Sequence, residues 1–542
     1  MESFARLLES LALTQSRTGK LGLLGDWFAT TPDPDRGWGL AALTGTLDLP
    51  AVKPAVVRTL IEERVDPVLF RLSYDFVGDL AETVALLWPD RKDQPPPGLA
   101  ETVERLARLD RAAAPRVLAD LLSRLDVGGR LALVKLATGA MRVGVAARLV
   151  RQALAERFRL PLAELEERWH GLSPPYLELF AWAEGRAPAP AAAADTLFRP
   201  FMLAHPLEDP ATLDLSAFAV EWKWDGIRAM AVGGRHERRL YSRDGNDISA
   251  AFPDLAAAIP AGLVLDGELM VRGADGQPAG FQALQSRLNR KSPDAALMAR
   301  HPAFLRAYDL LVEGGTDLRE RPWAERRARL EAVIGGCDAR RFDLSPLVEV
   351  ADAATLARLR RSPPHASIEG VMLKRRDSPY VPGRVTGLWW KWKKEPMRAD
   401  CVLMYAQRGH GKRSSFYSDF TFGAWADGQL VPVGKAYFGF TDAELAWLDR
   451  WVRQHTIARF GPVREVEKTL VLEIAFEGLQ ESARHRSGIA MRFPRIARIR
   501  PDKPAAEAET VEGIRRLGGL APREVAGGPA RPGVATSRPP AC

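Results

Sequence analysis

The stretch "EWKWDGIRAM", residues 221–230, decides how the rest of the chain is read. Read as a strand, it puts Glu221, Lys223 and Asp225 on one side and Trp222 and Trp224 on the other. A lysine is thus flanked by carboxylates and followed by Gly226 and Arg228. Lysine is scarce in this sequence: of 76 basic residues 14 are Lys and 62 are Arg, so arginine serves wherever a fixed positive charge suffices. Arginine cannot shed its proton to become an amine nucleophile, and lysine can. Lys223 is therefore a candidate nucleophile. Taken alone, the segment reads equally as a surface strand with its tryptophans inward and its charges in water.

Outward from this stretch, 542 residues with 46% hydrophobic content suffice for several cores, three or four by usual domain size. Residues 1–190 read as an all-α domain, with "ETVERLARLDRAAAPRVLADLLSRL" (101–125) carrying Val103, Leu106, Val117, Leu118, Leu121, Leu122 and Leu125 at helical spacing. "DQPPPG" (93–98) divides that region, and "GRAPAPAAAAD" (185–195) ends it as a linker. Residues 196–394 mix short apolar runs with helical stretches, an α+β pattern, and 395–508 read as short strands between Gly-rich turns, a small β-barrel. The Pro/Gly-rich residues 520–542 read as a disordered tail. No apolar run reaches membrane-spanning length and the first residues lack a signal-peptide layout, so a soluble, intracellular protein with no membrane association is expected. Cys337, Cys401 and Cys542 are too far apart for a zinc site or a disulfide framework. A net charge of +8 suits a polyanionic partner.

Further motifs follow the lysine in order: "SRDG" (242–245), "LDGEL" (265–269), "AYDLL" (307–311), "IEGVMLK" (368–374), "WWKWKK" (389–394) and "RFPRIARIRPDK" (492–503). In "WWKWKK", Lys391 and Lys393 share one face of a strand and Trp390 and Trp392 the other, a pair of ammonium groups that repel unless an anion lies between them. Together with Lys-x-Asp-Gly-x-Arg, this series resembles the ATP-dependent DNA ligases over nearly the whole chain apart from the last twenty or so residues. "FRPFMLA" (198–204) and "TGAMRVGV" (138–145) extend the likeness.

The resemblance implies a multidomain architecture: an all-α DNA-binding domain, a nucleotidyltransferase domain with antiparallel sheets, and a β-barrel OB-fold. It implies that Lys223 attacks ATP to form lysyl-AMP, that AMP passes to the 5′-phosphate of a nick, and that the 3′-hydroxyl then displaces it. Glu221 would meet adenine, Tyr308 would stack on it or belong to the core, and Arg228 and Arg243 would hold phosphate. Lys391 and Lys393 would bind the ATP phosphates, and Arg500 and Lys503 the departing pyrophosphate. Glu268, which would otherwise touch the ribose, and Glu369 would hold Mg2+ or Mn2+. Nicked duplex DNA would be encircled by a monomer and contacted through Arg142, Gly144 and Lys412, the last in a basic turn, "RGHGKRSS" (408–415). Lys374 and Lys394 read as solvated or as DNA contacts. Service in repair or replication, in the cytoplasm beside the nucleoid if bacterial, completes the expectation. Departures are Phe201 in "PFMLA", "RDGND", and Val385 where a second basic residue is frequent, which weakens Arg384 as a phosphate contact. An mRNA-capping guanylyltransferase, an RNA ligase and a non-catalytic DNA clamp remain alternatives.

Overall fold

The computed structural model describes residues 1–89, 93–190, 198–288, 290, 292–408, 416–482 and 485–521. The basic turn with Lys412, part of the 185–195 linker and nearly all of the 520–542 tail lie outside the described residues. The chain forms two compact units, divided after Glu395. Among the described residues no helix is long and apolar enough to cross a membrane.

The first unit begins with short helices, from Glu2–Leu13 to Leu177–Ala183. Their ends follow local chemistry. Helix Val127–Thr138 starts where Asp126 accepts a hydrogen bond from the Gly129 amide at 2.8 Å, and stops at Gly139, whose φ of 68° suits glycine. The periodic 101–125 stretch is two helices, Leu99–Ala107 and Ala114–Ser123, parted where Pro115 opens the second. Val103, Leu106, Leu118, Leu121 and Leu122 are fully buried in the core that these helices share.

A parallel pair, Met202–Leu203 with Gly383–Arg384, and two larger, largely antiparallel sheets complete the unit. One runs in the order Arg238–Ser242, Ile227–Gly233, Leu263–Val271, Ala303–Glu313, Thr316–Asp317, with Phe342–Leu344 added in parallel to Ala303–Glu313. The other runs His205–Pro206, Trp389–Lys393, Ile368–Arg375, Phe218–Trp224, its first pair parallel. The opening stretch is therefore two strands, one in each sheet, and not a continuous strand. The chain changes sheets at Asp225–Gly226, where a side chain on Gly226 would come within 2.6 Å of the Leu269 carbonyl oxygen. Asp225 lies in this turn, its amide bonded to the Ser367 carbonyl at 2.7 Å, so it does not continue the face that Glu221 and Lys223 share.

The alternation within each strand is as read. Val220, Trp222, Trp390 and Trp392 pack with Leu356 of helix Ala353–Arg361, while Ala219, Met372 and Trp389 join Tyr380, Met230 and Val264 in a core shared by the two sheets. Glu221, Lys223, Lys391 and Lys393 therefore face that same interior.

In the second unit, strand Met397–Arg408 pairs with Tyr417–Ala426 on one side. On the other it changes partner, from Val471–Phe476 to Val463–Val466. Irregular register at Leu403/Tyr405 accompanies a curled, OB-like sheet. Helix Asp442–Gln454, opened by a Thr441/Glu444 capping box, buries Leu445, Leu448 and Val452 among Leu403, Phe420, Phe422, Leu472 and Phe476.

Candidate active site

Lys223, Gly370 and Lys393 stand opposite one another across three adjacent strands. The register slips between Ile368 and Gly370, and Gly370 has a φ of 150°, a backbone that side-chain-bearing residues avoid. That irregularity belongs to the segment that supplies Glu369. Its carboxylate accepts a hydrogen bond from Lys223 and an ion pair from Lys393 at 3.1 Å. Burial opposes charge on Glu369, yet Lys223 and Lys393 together hold it below its ordinary pKa. Two residues along, Glu221, Met372 and Lys391 form the next row on the same face. The Lys391 ammonium is depressed by burial first, then by Arg384, Lys223, Arg243 and Lys393. Four other cations thus act on the Lys391 ammonium, a repulsion that a polyphosphate would relieve. Arg384, doubted from sequence, belongs to this group.

The facing sheet supplies the other wall, where Arg228, Glu268 and Arg306 are in register. Burial pushes Glu268 up to about 8, with Glu369 and Asp266 adding repulsion and Lys223 and Arg228 opposing it. Arg228 is engaged by Asp266 at 2.7 Å and the Met202 carbonyl at 2.7 Å, and its guanidinium lies 4.7 Å from the Phe201 ring centre. Tyr380 donates to the same Asp266 at 2.7 Å. Phe201, a departure in the sequence, is thus a platform for Arg228. Glu268 and Glu369 are two acids near Lys223, although among the described residues no group of three metal-ligating side chains occurs. Two carboxylates fit a magnesium ion that takes its remaining ligands from water and substrate phosphates.

Lys374 requires a correction: it is neither solvated nor placed to touch DNA. It is 1% exposed, paired with the equally buried Glu221 at 3.1 Å and bonded to the Tyr308 carbonyl at 3.2 Å. Its ammonium lies 4.3 Å from the Tyr308 ring centre and 4.7 Å from that of Trp389. Burial raises the Glu221 carboxyl and lowers the Lys374 ammonium, each countered by the other, with Arg327 a second cation 3.8 Å from Glu221. Tyr308 is half-buried, and burial holds its hydroxyl well above the ordinary range.

Arg243 acts on Lys391 from outside these strands, and the remaining sequence-derived residues are dispersed. Arg243 is exposed beside a turn closed by Gly245. Arg142 and Gly144, both with positive φ, lie in the loop after helix Val127–Thr138, where Lys20 donates to the Gly144 carbonyl at 2.6 Å. Arg500 and Lys503 belong to the second unit, where they converge on Asp400 at 3.5 and 2.8 Å, and Arg500 also meets Asp502 at 2.9 Å. Asp400 went unnoticed in the sequence because it lies a hundred residues before its partners. Arg360 was missed for the same reason: its Nε donates to the Lys393 carbonyl at 2.6 Å and its guanidinium stacks 4.4 Å from the Trp392 ring centre.

Comparison with known proteins adds to this geometry. A family model described as ATP dependent DNA ligase domain matches residues 201–393, and one described as ATP dependent DNA ligase C terminal region matches 413–503. A probable DNA ligase of Koribacter versatilis is 32% identical over an alignment covering 94% of this chain and 95% of that protein. DNA ligase 1 of Korarchaeum cryptofilum is 29% identical, covering 95% and 98%. The solved structure named Pmar-Lig_Pre is alike in fold, with a TM-score of 0.57 at 16% identity, covering 92% of this chain and 99% of that one.

Proposed function

This chain belongs to the ATP-dependent DNA ligase family, enzymes that use ATP and act on DNA, and from that membership we propose that it seals nicks in duplex DNA with Lys223 as the nucleophile. The carrying observation is the row Lys223–Gly370–Lys393 with Glu369 bridging its two amines. Lys223 Nζ attacks the α-phosphorus of ATP, pyrophosphate departs, and AMP is held as a phosphoramidate. AMP then passes to the 5′-phosphate, and attack by the 3′-hydroxyl joins the strands and frees AMP. Glu369 fixes the direction of the amine. Lys391 and Lys393, with Arg243 and Arg384, balance the triphosphate and the charge of the transferred phosphoryl group.

Glu221 and Tyr308 receive adenine, their positions braced by Lys374, and Arg228 holds phosphate from its seat on Asp266. Glu268 and Glu369 would hold Mg2+ or Mn2+, which supplies charge neutralisation at the phosphates when bound. Arg500 and Lys503 orient the pyrophosphate. Residues 1–190 grip the DNA through contacts such as Arg142 and Gly144, in a three-domain monomer, with a closed OB barrel, that encircles the duplex. The test uses α-labelled ATP or GTP with magnesium and no DNA. Wild type should carry label from ATP alone, and Lys223→Ala and Lys223→Arg none. An adduct on Lys223→Arg, or preferential labelling by GTP, would overturn this reading.

A further inference from the structure

The turn that carries Arg243 is held from outside its own sheet. Arg238–Ser242 is the outermost strand of that sheet. After it the chain reverses through hydrogen bonds from the Gly245 amide to the Ser242 carbonyl and from the Ser242 amide to the Asn246 carbonyl, both 2.8 Å. Beyond this edge, residues from the helical start of the chain meet the turn. Arg151, on helix Ala147–Phe158, donates to the Asp244 carbonyl at 3.4 Å. His170, just past helix Leu162–Arg168, sets its ring 4.5 Å from that of Tyr241 and 5.7 Å from that of Phe198. Gly245 is buried against them: a Cβ there would lie 3.4 Å from the Phe198 ring and 3.7 Å from His170 Nε2.

Stability alone does not account for Arg151. It is 7% exposed, and among the described residues its Nε has no partner. Glu166 stands 4.0 Å from it, while Arg148 holds that carboxylate more closely, at 3.0 Å. The Arg151 guanidinium lies 5.2 Å from the Trp169 ring centre, and burial draws it below its ordinary pKa. A buried cation so weakly compensated costs stability relative to an apolar side chain. What it provides is a fixed donor on the turn. His170 meets the same turn uncharged, because burial, then Arg151, drives its imidazolium down to about 4 against Asp247 and a hydrogen bond with the Gly245 backbone. Arg243 is itself exposed, so the path of the backbone beneath it decides where its guanidinium goes.

From this packing we propose that Arg151 and His170 are positioning residues for the phosphate pocket: they hold the 242–246 turn so that Arg243 meets the triphosphate, and the helical region thereby serves the adenylation step before any DNA is bound. The inference rests on the ligase reading and gives residues 1–190 a part in the nucleotide chemistry besides their grip on DNA.

The test is the single-turnover rate of adduct formation from α-labelled ATP and magnesium, without DNA. Moving a charge-stabilising group by about 1 Å costs up to about a hundredfold, so Arg151→Met and His170→Ala should each slow the reaction by about tenfold. Placed in Arg243→Ala, each should slow it by less than about twofold more, since the group they position is gone. Glu167→Gln breaks a different contact between the helices and the sheets, the 2.5 Å ion pair with Arg319, and should label at the wild-type rate. Wild-type rates in Arg151→Met and His170→Ala, losses that persist undiminished without the Arg243 guanidinium, or an equal loss in Glu167→Gln would overturn the proposal. Should Arg151→Met fail to fold, His170→Ala alone decides by the same criteria. A wild-type protein that takes no label would refute the proposed function instead, whereas a labelled wild type beside equally labelled variants rejects only this inference.

Discussion

Replacing Lys374 by methionine should destabilise the first unit by about 3 kcal/mol, because the substitution leaves the buried Glu221 carboxylate short of its main partner. The pair is 3.1 Å apart with both side chains nearly inaccessible, which at an effective dielectric near 20 corresponds to a gross attraction of about 5 kcal/mol. Arg327 stays 3.8 Å from Glu221 and offsets part of the loss, so the low end of the range for a broken buried pair applies. Denaturant unfolding followed by tryptophan fluorescence reads the effect, since Trp389 lies against the lysine. Adding Glu221→Gln removes the stranded charge and should restore at least about 1.5 kcal/mol, the mark of direct coupling. A single variant within about 0.5 kcal/mol of wild type, or a double variant no more stable than the single, would refute the buried-pair account.

Three other outcomes follow from the site. Glu268 keeps its proton up to about pH 8, so a divalent ion that needs the carboxylate must displace it. Apparent magnesium affinity in the adenylation step should therefore rise about tenfold per pH unit below about 8 and level off above it, and Glu268→Gln should flatten the profile; a pH-independent wild type would reject the assignment. Arg360→Ala should raise the KM for ATP about tenfold by freeing the Lys393 backbone, with kcat less affected, and the reverse split in steady-state adenylation would exclude this positioning role. Arg500→Ala with Lys503→Ala should abolish adduct formation from ATP yet still seal a nick already carrying AMP, whereas equal loss on both substrates would make the pair a DNA contact only.

Much of this is legible in the amino-acid sequence alone. The order of motifs from residue 221 to 503, the lysine retained in an arginine-rich sequence, and the opposite faces of Lys391/Lys393 and Trp390/Trp392 depend on residue type and on the two-residue period of a strand. Both are local properties. The helical start of the chain was readable for the same reason, through periodic burial of residues such as Leu118, Leu121 and Leu122.

What the tertiary structure decided is who meets whom. Lys223 and Glu369 are 146 positions apart, and Lys374 and Glu221 are 153 apart. No local pattern says that one lysine stays partly exposed while the other is sealed against Glu221. The change of sheet at Asp225–Gly226 and the slipped register before Gly370 are likewise settled by strand pairing, which a single strand's sequence does not carry. Burial and neighbouring charge then set each group's protonation, which is why Glu268 and Glu369, both plain carboxylates in the sequence, are driven in opposite directions once the two sheets face each other.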